Sequence, residues 1–503
     1  MTFAATLIRV ARAPDDVDEL DDLARSALAE NEEERALEPL IRAAQRAGRD
    51  ARLWQWVGLL ERALDRHRRA LPAFDRAARA APADAGIAHG RARVALEAGL
   101  PAVSLFETAS RLAPSDASVL LGRAAARYAM GDALTALGEL DELVKANPGW
   151  IEGHDTLAQL HALAGDPGAA RQSFERALVR DPRHAPLWHG LIAMHVRAEN
   201  FAAALDAIGR ARRFLSAVSE LDAYEAIARS ELGDLPGADR LFSRPMPRDM
   251  PGLTVWRVRQ ALRRGDVASA SGLLDQALDP ADPSLWPYAS IIWRLVDDPR
   301  AAWLEGDTRL VSVVDLAADL PDLDQLANLL RGLHLARGAH LDQSVRGGTQ
   351  TDGPLLSRIE PEIEALRGAI ARAVEHHVAQ LPPADERHPT LRWRRDRRAR
   401  FTGSWSVRLI GQGYHANHVH PQGWLSSALY VALPEEHERG GGEAGWLTLG
   451  APQAGLGLDL ALTRTIEPKP GRLVLFPSTM WHGTKPFTAG ERLTVAFDVA
   501  HPG

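Results

Sequence analysis

The sequence predicts an α + β multidomain protein: an N-terminal α-solenoid followed by a β-rich C-terminal domain. Three observations carry that prediction. From about Asp18 to Pro280 the chain reads as helix after helix, rich in Ala, Leu and Arg. Pro residues and Gly-Asp pairs punctuate this half at a regular interval, the mark of a repeat array. After Ser404 the pattern changes to short β-like runs separated by Gly and Pro, which argues for a sandwich or barrel.

Composition sets the bounds. A chain of 503 residues is too long for one ordinary domain, so two or three are expected. Hydrophobic residues at 46% and charged residues at 25% are ordinary for a globular protein. No apolar run is long enough to span a bilayer, and Arg9 and Arg12 interrupt the apolar start, so neither a membrane span nor a secretory signal is expected. The absence of cysteine removes disulfides, thiolate metal sites and Cys nucleophiles, and it fits a cytoplasmic setting. A net charge of -7 gives no support for nucleic-acid binding.

Within the helical half, Pro82, Pro114, Pro148 and Pro182 each close a helix pair. Ala70, Ala136, Ala170, Ala204 and Ala238 occupy the position where the two helices of a repeat touch, and small side chains there let the backbones approach. Phe74, Phe106, Phe174 and Phe242 follow as the aromatic that fills the gap between neighbouring hairpins; Trp54 and Trp188 take the early aromatic position. Gly131-Asp132, Gly165-Asp166, Gly233-Asp234 and Gly265-Asp266 mark the turn inside a pair, where Gly supplies a left-handed residue and Asp caps the next helix. The ~34-residue interval is that of a tetratricopeptide repeat. The functional reading of such an array is a groove for a protein or peptide; the structural one is a spacer or dimerisation arm. The signature residues themselves are expected in the core.

The stretch between the repeats and the β-rich part is mixed. Trp286, Trp293 and Trp303 read as buried packing in a capping region at the solenoid's end. Leu341 to Gly353 reads as a polar, Gly-containing loop. Ile363, Leu366, Ile370, Ala373 and Val374 have helical spacing, which predicts a support helix over 362–378. His376 and His377 lie side by side on it and cannot share a face. The basic run Arg392 to Phe401 is read as a solvated face, with docking of an acidic partner as the alternative.

The chemistry is expected in the last hundred residues. His418 and His420 are two apart, so an extended backbone presents both to one side. His482 arrives from a distant strand end, and three converging imidazoles suit a mononuclear metal. Arg492 follows ten residues later, and a buried guanidinium suits a small dicarboxylate. Thr494 shares the strand face of Arg492 and can donate a hydroxyl hydrogen bond. Tyr430 either faces the same pocket or belongs to the core. His415 is a reserve metal ligand. Trp424 and Trp481 flank the metal residues and are read as packing.

The motifs LDQSVRGGTQT, GSWSVRL, NHVHPQGWLSSALYVALP, GWLTLGAP, PGRLVLFPSTMWHGT and ERLTVAFDVA together resemble the Fe(II)- and 2-oxoglutarate-dependent oxygenases. More narrowly, they resemble the subfamily in which such a domain follows tetratricopeptide repeats. The resemblance implies a double-stranded β-helix (jelly roll) for the β-rich part. It divides the chain into repeats over 18–282, a helical capping or linker region over 283–353, and an oxygenase domain over 354–503 with its β core at about 401–500. It implies Fe(II) held by His418, His420 and His482, with 2-oxoglutarate as cosubstrate. Arg492 takes the place of the family's Arg for the distal carboxylate, and Arg408 lies where related enzymes often put a cosubstrate contact. His420 stands where most of the superfamily has Asp or Glu, so its role as third ligand, outer-sphere group or substrate contact stays open. The expected activity is hydroxylation of a protein or peptide recruited by the repeats. Two alternatives are a scaffold carrying a degenerate jelly roll and an oxygenase acting on a small metabolite.

Overall fold

The computed structural model describes residues 2–216, 219–247, 250–338, 341 and 344–502. Helices from Phe3–Arg12 to Val267–Ala277 form successive antiparallel hairpins. The turn inside each hairpin holds a left-handed residue: Asn31, Asp65, Gly99, Gly131, Gly165, Glu199, Gly233 and Gly265. They recur at the ~34-residue period of the repeat. Where the turn is Gly-Asp, the Asp caps the next helix, as Asp132 does for Thr135 N, Asp234 for Gly237 N and Asp266 for Ser269 N. The alanines and phenylalanines of the repeat signature are all buried. Trp286 and Trp293 close the end of the solenoid, packed with Trp303. No described helix is long and apolar enough to cross a membrane.

The C-terminal part is built on two antiparallel sheets. Its strands are β1 (Ser312–Asp315), β2 (Val345–Gln350), β3 (Phe401–His415), β4 (Leu425–Ala432), β5 (Leu447–Leu449), β6 (Arg464–Ile466), β7 (Arg472–Pro477), β8 (His482–Thr484) and β9 (Glu491–Val499). The large sheet has the order β1-β7-β4-β9-β3-β2 and the small one β6-β5-β8. Alternation along the central strands divides the large sheet. Leu473 and Leu475 on β7, Leu425 and Leu429 on β4, and Leu493, Val495, Phe497 and Val499 on β9 pack against two helices, Leu323–Leu333 and Pro361–Gln380. Val474, Phe476 and Tyr430 turn the other way and pack with Leu447, Leu449 and Ile466 of the small sheet. β7 and the middle of β4 are therefore apolar on both faces and read as near-continuous hydrophobic runs, whereas β9 is apolar on its helix face alone. The helix expected over 362–378 is the support for the first face.

Two expectations are corrected. The region 283–353 is not wholly helical: it supplies β1 and β2, so the large sheet begins before residue 354. Within Leu341 to Gly353, read as a polar loop, Val345–Gln350 is an edge strand paired to β3, with an irregular register at Gly347. Its two adjacent glycines and the lack of an apolar alternation hide the strand from pattern reading, because one edge pairs while little of it is buried. Asp342 and Gln343 of that stretch lie outside the described residues.

The turns of the solenoid form the ridge that meets the C-terminal domain. Asn31 and Glu33 hold Arg400, each at 2.9 Å, and Glu32 pairs with Arg397. Asp65 O accepts from Arg367 at 2.9 Å, Ala98 O from Ile359 N at 3.2 Å and Leu163 O from Arg337 N at 2.8 Å. Glu199 pairs with Arg346 at 3.1 Å. The basic run is thus partly consumed inside the chain: Arg397 and Arg400 are largely buried against acidic residues of the first repeats, not a solvated face.

The support helix also makes stability depend on pH. His377 is fully buried and its Nδ1 lies 2.6 Å from Ser312 Oγ on β1. Burial, and secondarily His376, pushes its pKa down to about 4. The unfolded chain therefore takes up this proton first as the solution is acidified, so the contribution is complete above pH ~6.5 and is lost as pH falls toward 4. Between pH 7 and pH 5 the wild-type urea midpoint should fall, and His377→Gln should remove on the order of 1–2 kcal/mol of that fall. An unchanged pH slope in the variant would refute the assignment.

Candidate metal centre and its cavity

Two separate segments bring the histidines together. His418 and His482 form an isolated antiparallel bridge, with His418 N donating to His482 O at 2.9 Å and His482 N to His418 O at 3.0 Å. His420 is held one step further along by its N–H donating to Ser478 O at 3.0 Å. The result is a cluster in which one ligand atom from each of His418, His420 and His482 lies within 4.8 Å of the others. Their ring centroids are 4.9 Å (418–420), 4.2 Å (418–482) and 5.1 Å (420–482) apart.

The hydrogen bonds settle which nitrogens remain for a metal. His418 Nδ1 lies 2.8 Å from Ala416 O, His482 Nδ1 3.0 Å from Met480 O, and His420 Nδ1 2.8 Å from a carboxylate oxygen of Asp498. Each Nδ1 faces an accepting oxygen and so carries a proton, which leaves Nε2 as the nitrogen for a metal; Ser344 Oγ lies 3.2 Å from His418 Nε2. Burial, with the neighbouring imidazoles adding to it, drives the pKa of His418 and of His482 well below the ordinary histidine value. Imidazoles converging by one type of nitrogen suit a divalent first-row metal.

The close approach depends on a glycine. A Cβ on Gly483 would stand 2.1 Å from Asn417 Oδ1 and 3.0 Å from His415 O. Gly483→Ala should force the two ligand-bearing segments apart, costing about 1–3 kcal/mol of stability and at least tenfold in Mn(II) affinity. Calorimetric titration of the folded variant checks this; wild-type affinity would sink it.

The cluster opens into a cavity of about 1000 Å³. Its floor is the face of the large sheet that carries Trp405 and Val407 on β3 and Arg492, Thr494 and Ala496 on β9. Its opposite wall comes from the repeats, through Arg171, Met194, His195 and Asn200 among others. Arg492 is 2% exposed, its Nε has no hydrogen-bond partner and no carboxylate pairs with it among the described residues. Its guanidinium lies over the Tyr430 ring, 5.0 Å from the centroid. A buried unpaired guanidinium is costly unless an anion completes it. Arg492, Thr494 and the three histidines are thus gathered on one cavity, and Tyr430 lies beneath Arg492 in the sheet core.

Arg408 is not brought there. It occupies the other face of β3, where it pairs with Glu491, which also binds Arg331. The strand's period of two explains the miss: Trp405 and Val407 face the cavity, so an even-numbered neighbour cannot. His415 stacks on His418 with centroids 5.7 Å apart but falls outside the three-histidine group. Trp424 and Trp481 pack, donating to Thr390 O and Pro287 O. Sequence reading missed Asp498. The available signal was its place six residues after Arg492, an even spacing that puts both on one face of β9.

Residues 403–498 match the family model described as "Putative 2OG-Fe(II) oxygenase". Over those residues the C-terminal domain is similar to that family. Residues 151–194 match a tetratricopeptide repeat model, so the β-rich domain follows tetratricopeptide-like repeats. No curated protein matches the chain. Among solved structures, the chain is similar to a Pseudomonas putida prolyl-4-hydroxylase, with 18% identity over 42% of this chain and 98% of that one and a TM-score of 0.26. It is also similar to YrrB, described as a TPR protein with an unusual peptide-binding site (18% identity, 37% of this chain, 96% of that one, TM-score 0.29). A third is MamA from Desulfovibrio magneticus RS-1 (18%, 34%, 98%, 0.30).

Proposed function

We propose that the protein is an Fe(II)- and 2-oxoglutarate-dependent dioxygenase that hydroxylates a protein or peptide segment admitted between its repeats and its jelly roll. The observation that carries this reading is the pairing of a three-Nε2 cluster with a buried, unpaired Arg492 on one cavity. The donor set fits Fe(II), and a buried guanidinium that no described carboxylate pairs with fits the distal carboxylate of a dicarboxylate. When bound, Fe(II) and 2-oxoglutarate supply oxidation of a substrate C–H bond by dioxygen, with release of succinate and CO2.

The chain's own residues have separate parts. His418, His420 and His482 would hold the metal by Nε2, kept in that tautomer by Ala416 O, Asp498 and Met480 O. Arg492 and Thr494 would orient the cosubstrate, the first by a forked ionic hydrogen bond and the second by its hydroxyl. The Tyr430 ring supports the guanidinium from below. The two sheets and the repeat wall shield the site from bulk water, which strengthens every polar contact inside it. A peptide reading follows from the composite cavity: its repeat wall mixes Met194 with Arg171, His195 and Asn200, and its volume accommodates a side chain with its flanking backbone.

Anaerobic addition of Fe(II) and then 2-oxoglutarate, followed by visible absorption, tests the reading. Saturable 1:1 spectral changes, with succinate release when oxygen is admitted, are expected; no binding of either would end it. A +16 Da mass shift on a peptide captured by the full chain would identify the substrate class, whereas turnover stimulated only by small metabolites would overturn the peptide assignment.

A further inference from the structure

We propose that Asp498 is the positioning residue of the metal centre and supplies, one imidazole removed, the negative charge that a three-histidine site lacks. The inference rests on the metal reading above. Asp498 ends the row Arg492, Thr494, Ala496 along the cavity face of β9. Its two carboxylate oxygens lie 3.0 and 2.8 Å from His420 Nδ1. Ser426 Oγ donates to the same carboxylate at 2.6 Å and stands 3.0 Å from Ser478 Oγ, and Ser478 is the residue whose carbonyl holds His420 N. The pairing Ser426↔Asp498 is fixed by the register of β4 against β9. Asp498 is 9% exposed, so its charge is only weakly screened by solvent.

Three consequences follow from that geometry. The carboxylate accepts from His420 Nδ1, which leaves Nε2 as the nitrogen for the metal. The bond fixes the ring's rotation, which a residue in a turn between His418 and Trp424 would otherwise lack. The negative charge polarises the Nδ1–H bond and raises the basicity of Nε2, as outer carboxylates do for metal-bound histidines. Three neutral ligands would leave a divalent ion's charge uncompensated; a carboxylate hydrogen-bonded behind one of them offsets it. His418 and His482 have only backbone carbonyls in the corresponding place, so the site is electronically asymmetric by construction.

The test uses the full-length protein, Mn(II) or Co(II) as probe, and three variants. Asp498→Asn keeps an acceptor for His420 Nδ1 and removes the charge; Asp498→Ala removes both; Ser426→Ala removes only the tether on the carboxylate. Expected are losses in Mn(II) affinity of about tenfold for Asp498→Asn, up to a hundredfold for Asp498→Ala and a few-fold for Ser426→Ala. The Co(II) visible spectrum of Asp498→Asn should shift, a signature that a purely structural role would not move. If Asp498→Ala fails to fold, the other two variants still carry the test. Wild-type protein that binds no metal would defeat the metal reading itself. Wild-type binding with unchanged affinity and spectrum in Asp498→Asn would defeat only the role given to Asp498.

Discussion

His482→Ala should abolish metal binding, with a loss greater than about a hundredfold in Mn(II) affinity and no succinate formation above background. The expectation is larger than for the outer carboxylate because the substitution removes a donor atom and not its orientation. His482 is also the residue through which the two halves of the site meet: its backbone makes both hydrogen bonds of the bridge to His418. Those bonds use main-chain atoms, which alanine retains, so the fold should persist. Calorimetric metal titration together with thermal melting separates the two effects. A variant that melts as wild type and binds no metal is the expected result. A variant that binds Mn(II) within threefold of wild type would remove His482 from the ligand set.

Arg492→Ala should raise the dissociation constant for 2-oxoglutarate by two to three orders of magnitude while leaving metal affinity within a few-fold. Removing one partner of a buried ionic hydrogen-bonded pair costs about 2–5 kcal/mol, and about 1.4 kcal/mol is a factor of ten. Arg492→Lys should recover little, since an ammonium on a flexible stem cannot reproduce the planar fork. The variant without ligand should be no less stable than wild type, because it removes an uncompensated buried charge. Arg408→Ala serves as the contrast: its guanidinium is engaged by Glu491 on the far face of β3, so 2-oxoglutarate affinity should not change. Fluorescence or calorimetric titration of metal-loaded protein reads both. Equal losses in the two variants would put the cosubstrate elsewhere.

Much of the architecture was legible because it rests on local chemistry repeated many times. The Gly-Asp turns, the small alanines at helix contacts and the phenylalanines between hairpins each satisfy a requirement inside one repeat, so periodicity displays them, whereas the left-handed Asn31, Asp65 and Glu199 carry no such mark. The central strands were legible for a related reason: at least one face of each is apolar, and on β7 both are, so they leave patterns that no solvated loop carries. β1 and β2 were not legible, since they are short edge strands whose hydrogen bonds are made with β7 and β3 hundreds or tens of residues away. The same holds for Arg397 and Arg400, whose charge run has no meaning until Glu32 and Glu33 arrive beside it.

The candidate site divides along the same line. Sequence by itself determined the residue types and the spacing rules: two histidines two apart, a third histidine at a strand end, and an arginine and a threonine sharing the face of one strand. Only the tertiary structure decided that the two histidine segments close on each other through a two-bond bridge beside Gly483, that Arg408 points away, and that Asp498 stands behind His420. It also decided that the cavity above the cluster takes its far wall from the repeats. The physical reason is that a strand's period of two fixes which side chains share a face, but not which face meets the cavity. That choice is made by the register between strands and by the apolar face that must be buried against the helices, and both are properties of contacts distant in the chain.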